Sequence, residues 1–173
     1  MENIRSRTKK LAILAMMLAL ITVVSALEHM LPPLPLLPPH VRLGLSNVVT
    51  MYTLFFIGRG PAVALAFLKS LFVFLMRGAA AGFLSLCGGM LSICVIILLS
   101  ALTRNRVSYL LLSEAGAVTH NIGQMLAASL ILQTDIVFYY LPVLVVSGIL
   151  LGGLSGTALR IVMPVFHKTL GRE

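Results

Sequence analysis

Charged side chains are scarce in this sequence. Of its 173 residues 10% are charged and 59% are apolar, whereas a soluble domain carries about 25% charged residues. A chain with so few charges cannot cover a surface that faces water, which excludes an ordinary soluble enzyme and an intrinsically disordered protein. The composition therefore indicates an integral membrane protein.

Motifs of several common chemistries are also missing. The two cysteines, Cys87 and Cys94, form no CxxC pair, which excludes a thiol redox or zinc motif of that kind. No P-loop occurs, so the chain does not itself hydrolyse a nucleotide. A metal-ion carrier built on His29 and His40 remains an alternative, but it lacks a third firm ligand. We expect this chain to bind no metal and no cofactor.

The apolar runs predict a bundle of six transmembrane helices. Crossing about 30 Å of hydrocarbon takes roughly 20 helical residues. A signal-peptide interpretation of residues 1–27 is less favoured, because the first apolar run exceeds the typical length of about 7–15 residues. Basic residues 1–10 and a tail at 161–173 flank this single domain, 11–160. The predicted spans are Leu11–Leu27, Val41–Ile57, Pro61–Met76, Ala79–Leu102, Val107–Leu132 and Val137–Arg160.

The basic residues predict the orientation of these spans. Six spans place ten of the 13 lysines and arginines on the side of the N-terminus. The opposite side has Arg42 and Arg77, and Lys69 falls within the membrane. Because cytoplasmic loops are enriched in Lys and Arg, both termini are expected in the cytoplasm.

A proline-rich segment follows the first span. Residues 28–40 read EHMLPPLPLLPPH, and five prolines within eight positions exclude a regular helix. The leucines between them make the segment apolar. We expect it to fold back onto the outer side of the bundle as a lid.

Polar side chains within span five mark a candidate site. Such groups are costly in hydrocarbon, so they are expected to face the bundle interior. His120 lies four residues before Gln124, and Asn121 lies three before it, so the three form one polar strip. The strip is predicted to bind a solute, and the alternative is hydrogen bonding that only holds helices together.

Further polar residues lie in spans two and three. Lys69 is deep in span three, where it either pairs with Glu114 of span five or meets an anionic group of a ligand. Arg42, at the outer mouth of span two, is either an interfacial anchor or an anion ligand. Asn47 lies deeper in the same span. The cationic members favour a solute with an anionic or strongly polar head.

Two spans carry strips of small residues. Ala15 and Ala19 are one turn apart in span one, which indicates a helix contact or simply alanine content. Gly148, Gly152 and Gly156 recur every fourth residue in span six. This double GxxxG pattern is typical of close helix packing.

Two motifs carry a family resemblance. Residues 41–50, VRLGLSNVVT, and residues 116–124, GAVTHNIGQ, resemble signatures of a bacterial membrane family. That family is called Gx transporter, or heptaprenyl diphosphate synthase component I. Residues Tyr139 to Pro142, followed by Gly148 to Gly156, look like its last span. The resemblance covers about residues 10–165.

The family in turn resembles the S components of energy-coupling factor (ECF) transporters of the bacterial cell membrane. The resemblance implies six helices and a solute site open to the outside. It also implies that the Ala15/Ala19 strip docks on a transmembrane coupling subunit, whose two partner ATPases use ATP. The solute would be a precursor of a vitamin, cofactor or isoprenoid. The predicted lining residues are Arg42, Asn47, Lys69, His120, Asn121 and Gln124.

A second hypothesis comes from the family's other name. Prenyl diphosphate elongation needs paired aspartate-rich motifs that hold magnesium, and the sequence has one aspartate, Asp135. The chain is therefore not expected to be the enzyme. It would instead be a non-catalytic membrane accessory of prenyl diphosphate synthesis or of a membrane redox assembly.

Overall fold

The computed structural model describes residues 2–30, 45–104 and 106–169. Within these ranges the chain forms six α-helices and a short 3₁₀ helix, and no strand. The all-helical fold class is thereby confirmed. The helices are α1 Glu2–Met30, α2 Leu45–Phe56, α3 Arg59–Arg77, α4 Ala79–Leu102, α5 Tyr109–Leu132, the 3₁₀ helix Asp135–Tyr140 and α6 Leu141–Thr169.

Helix bounds differ from the predicted spans at several places, including the end of α1 and both ends of α6. Glu28, which the sequence analysis assigned to the proline-rich segment, lies in the last turn of α1, because the first proline comes four residues later. Residues 135–140 form the 3₁₀ helix, and α6 begins after them with Pro142 in its first turn, where a proline is tolerated. The same helix continues past Arg160 to Thr169.

Glycines make the two turns on either side of α3. Gly58 separates α2 from α3 with φ 134°, and Gly78 separates α3 from α4 with φ 88°. Side chains rarely tolerate these backbone conformations, which glycine adopts readily. These turns place consecutive helices side by side.

Helix α5 is packed closely between α4 and α6. A Cβ atom on Gly152 of α6 would lie 2.7 Å from the Cα of Glu114 in α5. On the other side of α5, a Cβ on Gly123 would lie 2.9 Å from the carbonyl oxygen of Cys87 in α4. The close packing predicted from the GxxxG pattern is therefore confirmed, and α6 uses it to contact α5.

The bundle has a solid end. Leu65 near the start of α3, Ile96 near the end of α4 and Leu112 near the start of α5 are almost fully buried. Leu159 of α6 joins them in the same apolar core. The end of the bundle near these residues is filled by apolar side chains, and the remaining space lies toward the opposite end.

Four of the described helices are long and apolar enough to cross a membrane: Lys10–Glu28, Arg59–Arg77, Ala79–Leu102 and Leu141–Ile161. Their outward faces carry exposed leucines such as Leu75 and Leu150. These features indicate a membrane protein. Helix α2 has 12 residues, a length of about 18 Å, which is less than the hydrocarbon thickness. Six crossings with cytoplasmic termini stay a prediction.

Adjacent glycines of α6 test the packing against α5. A Cβ on Gly152 would also lie 3.0 Å from the carbonyl oxygen of Ser113, whereas a Cβ on Gly153 would have ordinary contact, 3.5 Å from Oε1 of Glu114. Both alanine substitutions change helix propensity equally. We expect Gly152→Ala to unfold more easily than Gly153→Ala, by about 1–3 kcal/mol. Thermal unfolding in one detergent measures the difference, and equal midpoints would contradict the packing.

Candidate functional site

A cavity of about 330 Å³ extends from the apolar core, where Ile96 lines it, toward the opposite end of the bundle. This is the end at which α1 and α3 finish and α2 and α4 begin, and all six α-helices line the cavity. Its volume is at the lower end of the range for small-molecule pockets. Five of the six predicted lining residues meet in its wall: Asn47, Lys69, His120, Asn121 and Gln124.

Helices α2 and α3 contribute a charged hydrogen bond to one wall. The Lys69 amine of α3 donates to Oδ1 of Asn47, in the first turn of α2, over 2.8 Å. This bond ties Lys69 to α2, and the alternative pairing of Lys69 with Glu114 stays a prediction. The amide partner fixes the position of the amine at the cavity wall.

His120 of α5 contributes a buried polar atom to the cavity wall. Its Nδ1 atom is shielded from solvent and has no hydrogen-bond partner in the part of the chain that the structure describes. Gly88 of α4 makes room for the imidazole, because a Cβ there would lie 3.1 Å from Cε1 of His120. An unpaired buried polar atom costs about 1–3 kcal/mol. A ligand that bonds to Nδ1 would recover part of that cost.

Asn121 and Gln124 complete the polar strip in different ways. The Asn121 side-chain amide donates to the Leu144 carbonyl of α6 over 2.9 Å. Asn121 therefore holds two helices together as well as lining the cavity. This agrees, for Asn121, with the alternative in which the strip forms hydrogen bonds between helices. Gln124 lies beside Gly88, where a Cβ would come within 2.7 Å of its Cγ.

Glu114 is set apart from this strip. Ser113 and Ala117 of α5 line the cavity, whereas Glu114 is not among the described lining residues. Its carboxylate lies beside Gly153 of α6. His120, Asn121 and Gln124 thus line the cavity, whereas Glu114 lies outside the described lining.

Several lining residues are not among those predicted from the sequence. Arg77 lies eight residues after Lys69 on the same face of α3. This helical spacing is visible in the sequence, but Arg77 was used there only to predict the orientation of the spans. Glu28 was not predicted to line the cavity, because its position next to the prolines assigned it to the proline-rich segment. Hydroxyl groups also line the cavity, from Ser25, Ser46, Thr50, Ser85, Ser92, Ser113 and Ser155.

Glu28 joins α1 to the start of α2. Its side chain is 8% exposed, and one carboxylate oxygen accepts from the backbone N–H of Leu45. The other oxygen accepts from the Ser46 hydroxyl over 3.1 Å. The first N–H groups of a helix lack partners within the helix and carry partial positive charge. A carboxylate there stabilises α2 and fixes it against α1.

Some of the remaining predicted residues lie outside the part of the chain that the structure describes. Arg42, His40 and residues 31–39 lie outside the described residues, as does the side chain of His29. The role of Arg42 and the metal-ion alternative therefore stay predictions. Ala15 and Ala19 are both exposed on α1, so the small-residue strip lies on the surface of the bundle.

Removing the Glu28 carboxylate tests its role at α2. Glu28→Ala leaves the first N–H groups of α2 without this acceptor, and the loss of a helix cap costs about 0.5–2 kcal/mol. Asp135→Ala is the matched control, because Asp135 is an exposed acid at the start of the 3₁₀ helix. We expect a lower unfolding midpoint for the first variant than for the second. Equal midpoints would show that Glu28 does not hold α2.

Residues 17–162 match the sequence profile of a protein family described as heptaprenyl diphosphate synthase component I. The matched range covers most of the chain and includes the segments around Asn47 and His120. No curated protein and no solved structure matches the chain. The name component I implies partnership with another subunit of a complex. With four helices able to cross a membrane, the chain is a membrane-associated protein that belongs to the heptaprenyl diphosphate synthase component I family.

Proposed function

We propose that this chain is the substrate-binding membrane subunit of an ECF-type transporter. It captures a small solute, a precursor of a vitamin, cofactor or isoprenoid, from outside a bacterial cell. The observation that carries the proposal is the cavity in which Asn47, Lys69 and His120 meet at one end of an otherwise apolar bundle. A pocket with a few converging polar groups is the usual form of a small-molecule site.

In the proposed orientation, all six helices belong to the multi-pass domain and both termini are cytoplasmic. Helix α1 then runs outward, and Glu28 near its end lies toward the outer side. The cavity opens in the outer half of the bundle, and the apolar core fills the inner half. This orientation rests on the excess of Lys and Arg on the side of the N-terminus.

The proposed partners are a transmembrane coupling subunit and two ATPases, which use ATP while this chain binds no cofactor and catalyses no reaction. Helix α1 supplies the docking surface. Ala15 and Ala19 are exposed together with Met16 and Leu20. Small residues on an exposed helix face allow another helix to approach closely in a membrane.

The second candidate function is a non-catalytic membrane accessory of prenyl diphosphate synthesis or of a membrane redox assembly. The family name favours the first of these roles. The single aspartate, Asp135, is exposed outside the cavity lining. A prenyl synthase as stable partner would support this candidate, whereas a coupling subunit with ATPases supports transport.

Loss of the His120 imidazole tests solute binding. We expect mass spectrometry to detect a small molecule released from gently purified protein, and His120→Ala to retain about tenfold less of it. One lost hydrogen bond to a buried group accounts for that factor. Thr119→Ala is the control, because the Thr119 hydroxyl bonds to its own helix at Ala115. Protein without any bound small molecule, or equal retention by both variants, would contradict the proposal.

Bulky residues on α1 test the docking surface. Ala15→Leu combined with Ala19→Leu is expected to abolish co-purification of the coupling subunit and ATPases, since the added side chains prevent close helix approach. Ala64→Leu, at an exposed alanine of α3, is expected to leave co-purification unchanged. Recovery of a prenyl synthase in place of these subunits would favour the accessory function.

A further inference from the structure

We infer that the solute is a compact organic anion, whose carboxylate or phosphate group is attracted by Arg77 at the cavity rim and held by Lys69 and Asn47 inside. The inference rests on the proposed function, because it requires that the cavity bind a solute. It narrows the solute class by charge and size and gives Arg77 a role.

The charge of the cavity wall is the first step. The described lining residues include two basic side chains, Lys69 and Arg77, and one acid, Glu28. Both carboxylate oxygens of Glu28 accept hydrogen bonds from the first two residues of α2. The start of a helix carries about half a positive elementary charge. The Glu28 charge is therefore offset at α2, and the described wall keeps an excess of positive charge.

The position of the two cations is the second step. Lys69 and Arg77 are eight residues apart on α3, a rise of about 12 Å, and Val73 lines the cavity between them. Arg77 is exposed at the end of the helix, whereas Lys69 is half-buried at its middle. The positive charges thus lead from the rim into the cavity. Such an arrangement speeds the entry of an anion.

The size and lining of the cavity are the third step. Leu54, Ile93, Ile96 and Leu151 add apolar surface to the wall. Nδ1 of His120, which has no partner among the described residues, is open to a ligand. A volume of about 330 Å³ suits a compact solute. A long polyprenyl chain would not be enclosed. The wall therefore fits an anionic head on a small, partly apolar body with one group that bonds to His120.

A fractionated metabolite extract tests the predicted charge. Small molecules from bacterial cells are separated on an anion exchanger into a retained, anionic fraction and an unretained fraction. We expect the retained fraction to raise the thermal unfolding midpoint of the purified full chain. Stabilisation by the unretained fraction alone would overturn the anion inference and leave the proposed function standing. Stabilisation by neither fraction would overturn both.

Two variants test the residues that hold the anion. Asn47→Asp keeps the size of the side chain and places a negative charge beside the Lys69 amine, and Lys69→Gln removes the positive charge. We expect both to reduce stabilisation by the retained fraction. Arg59→Gln, an exposed cation at the opposite end of α3, is expected to leave it intact. Undiminished stabilisation of Asn47→Asp would overturn the assignment, even if Lys69→Gln does not fold.

Binding kinetics separate the rim from the interior. With the stabilising compound isolated from the retained fraction, Arg77→Gln is expected to slow association and weaken its salt dependence. A rim charge acts mainly on the association rate, whereas a buried charged contact acts on dissociation. Lys69→Gln is therefore expected to speed dissociation about tenfold or more. An unchanged association rate in Arg77→Gln would exclude its role at the rim.

Discussion

The close packing of α5 between α4 and α6 is the constraint on which the site depends. Glycines on both neighbours remove the side chains that would otherwise hold these helices apart. Gly88 makes room for His120 and Gln124, and Gly152 brings α6 against Glu114. Polar side chains of α5 can then face a cavity. Facing lipid would be costly for them, because lipid offers no hydrogen-bond partners. The same strip of small residues that stabilises the bundle thus positions the binding groups.

Helix α2 completes the cavity through polar contacts. Its first three residues are held from two sides, by Glu28 of α1 at Leu45 and Ser46 and by Lys69 of α3 at Asn47. These groups all line the cavity apart from Leu45. A solute that bonds to Lys69 or Asn47 therefore acts on the same contacts that position α2 against α1. In the proposed transporter, this arrangement connects the binding site with the helix that docks on the coupling subunit.

Local features of the sequence were sufficient to predict part of the site. Lys69 and His120 stand out because an ionisable group is expensive anywhere in an apolar helix, and the glycine spacing of α6 predicts close packing without knowledge of the partner. Glu28 was misassigned, because its contact with α2 joins residues 17 apart across the proline-rich segment. Such a contact follows from tertiary geometry, which helical periodicity does not encode. The double role of Asn121, which both bonds to α6 and lines the cavity, also follows from tertiary geometry.

An experimental structure of the gently purified protein tests the central claim most directly, because it shows the cavity and its contents together. The account predicts density for a compact molecule that contacts Lys69, Asn47 and His120, with one group within hydrogen-bond distance of Nδ1 of His120. A cavity closed by its own side chains, or density for a polyprenyl chain that runs through it, would contradict the account.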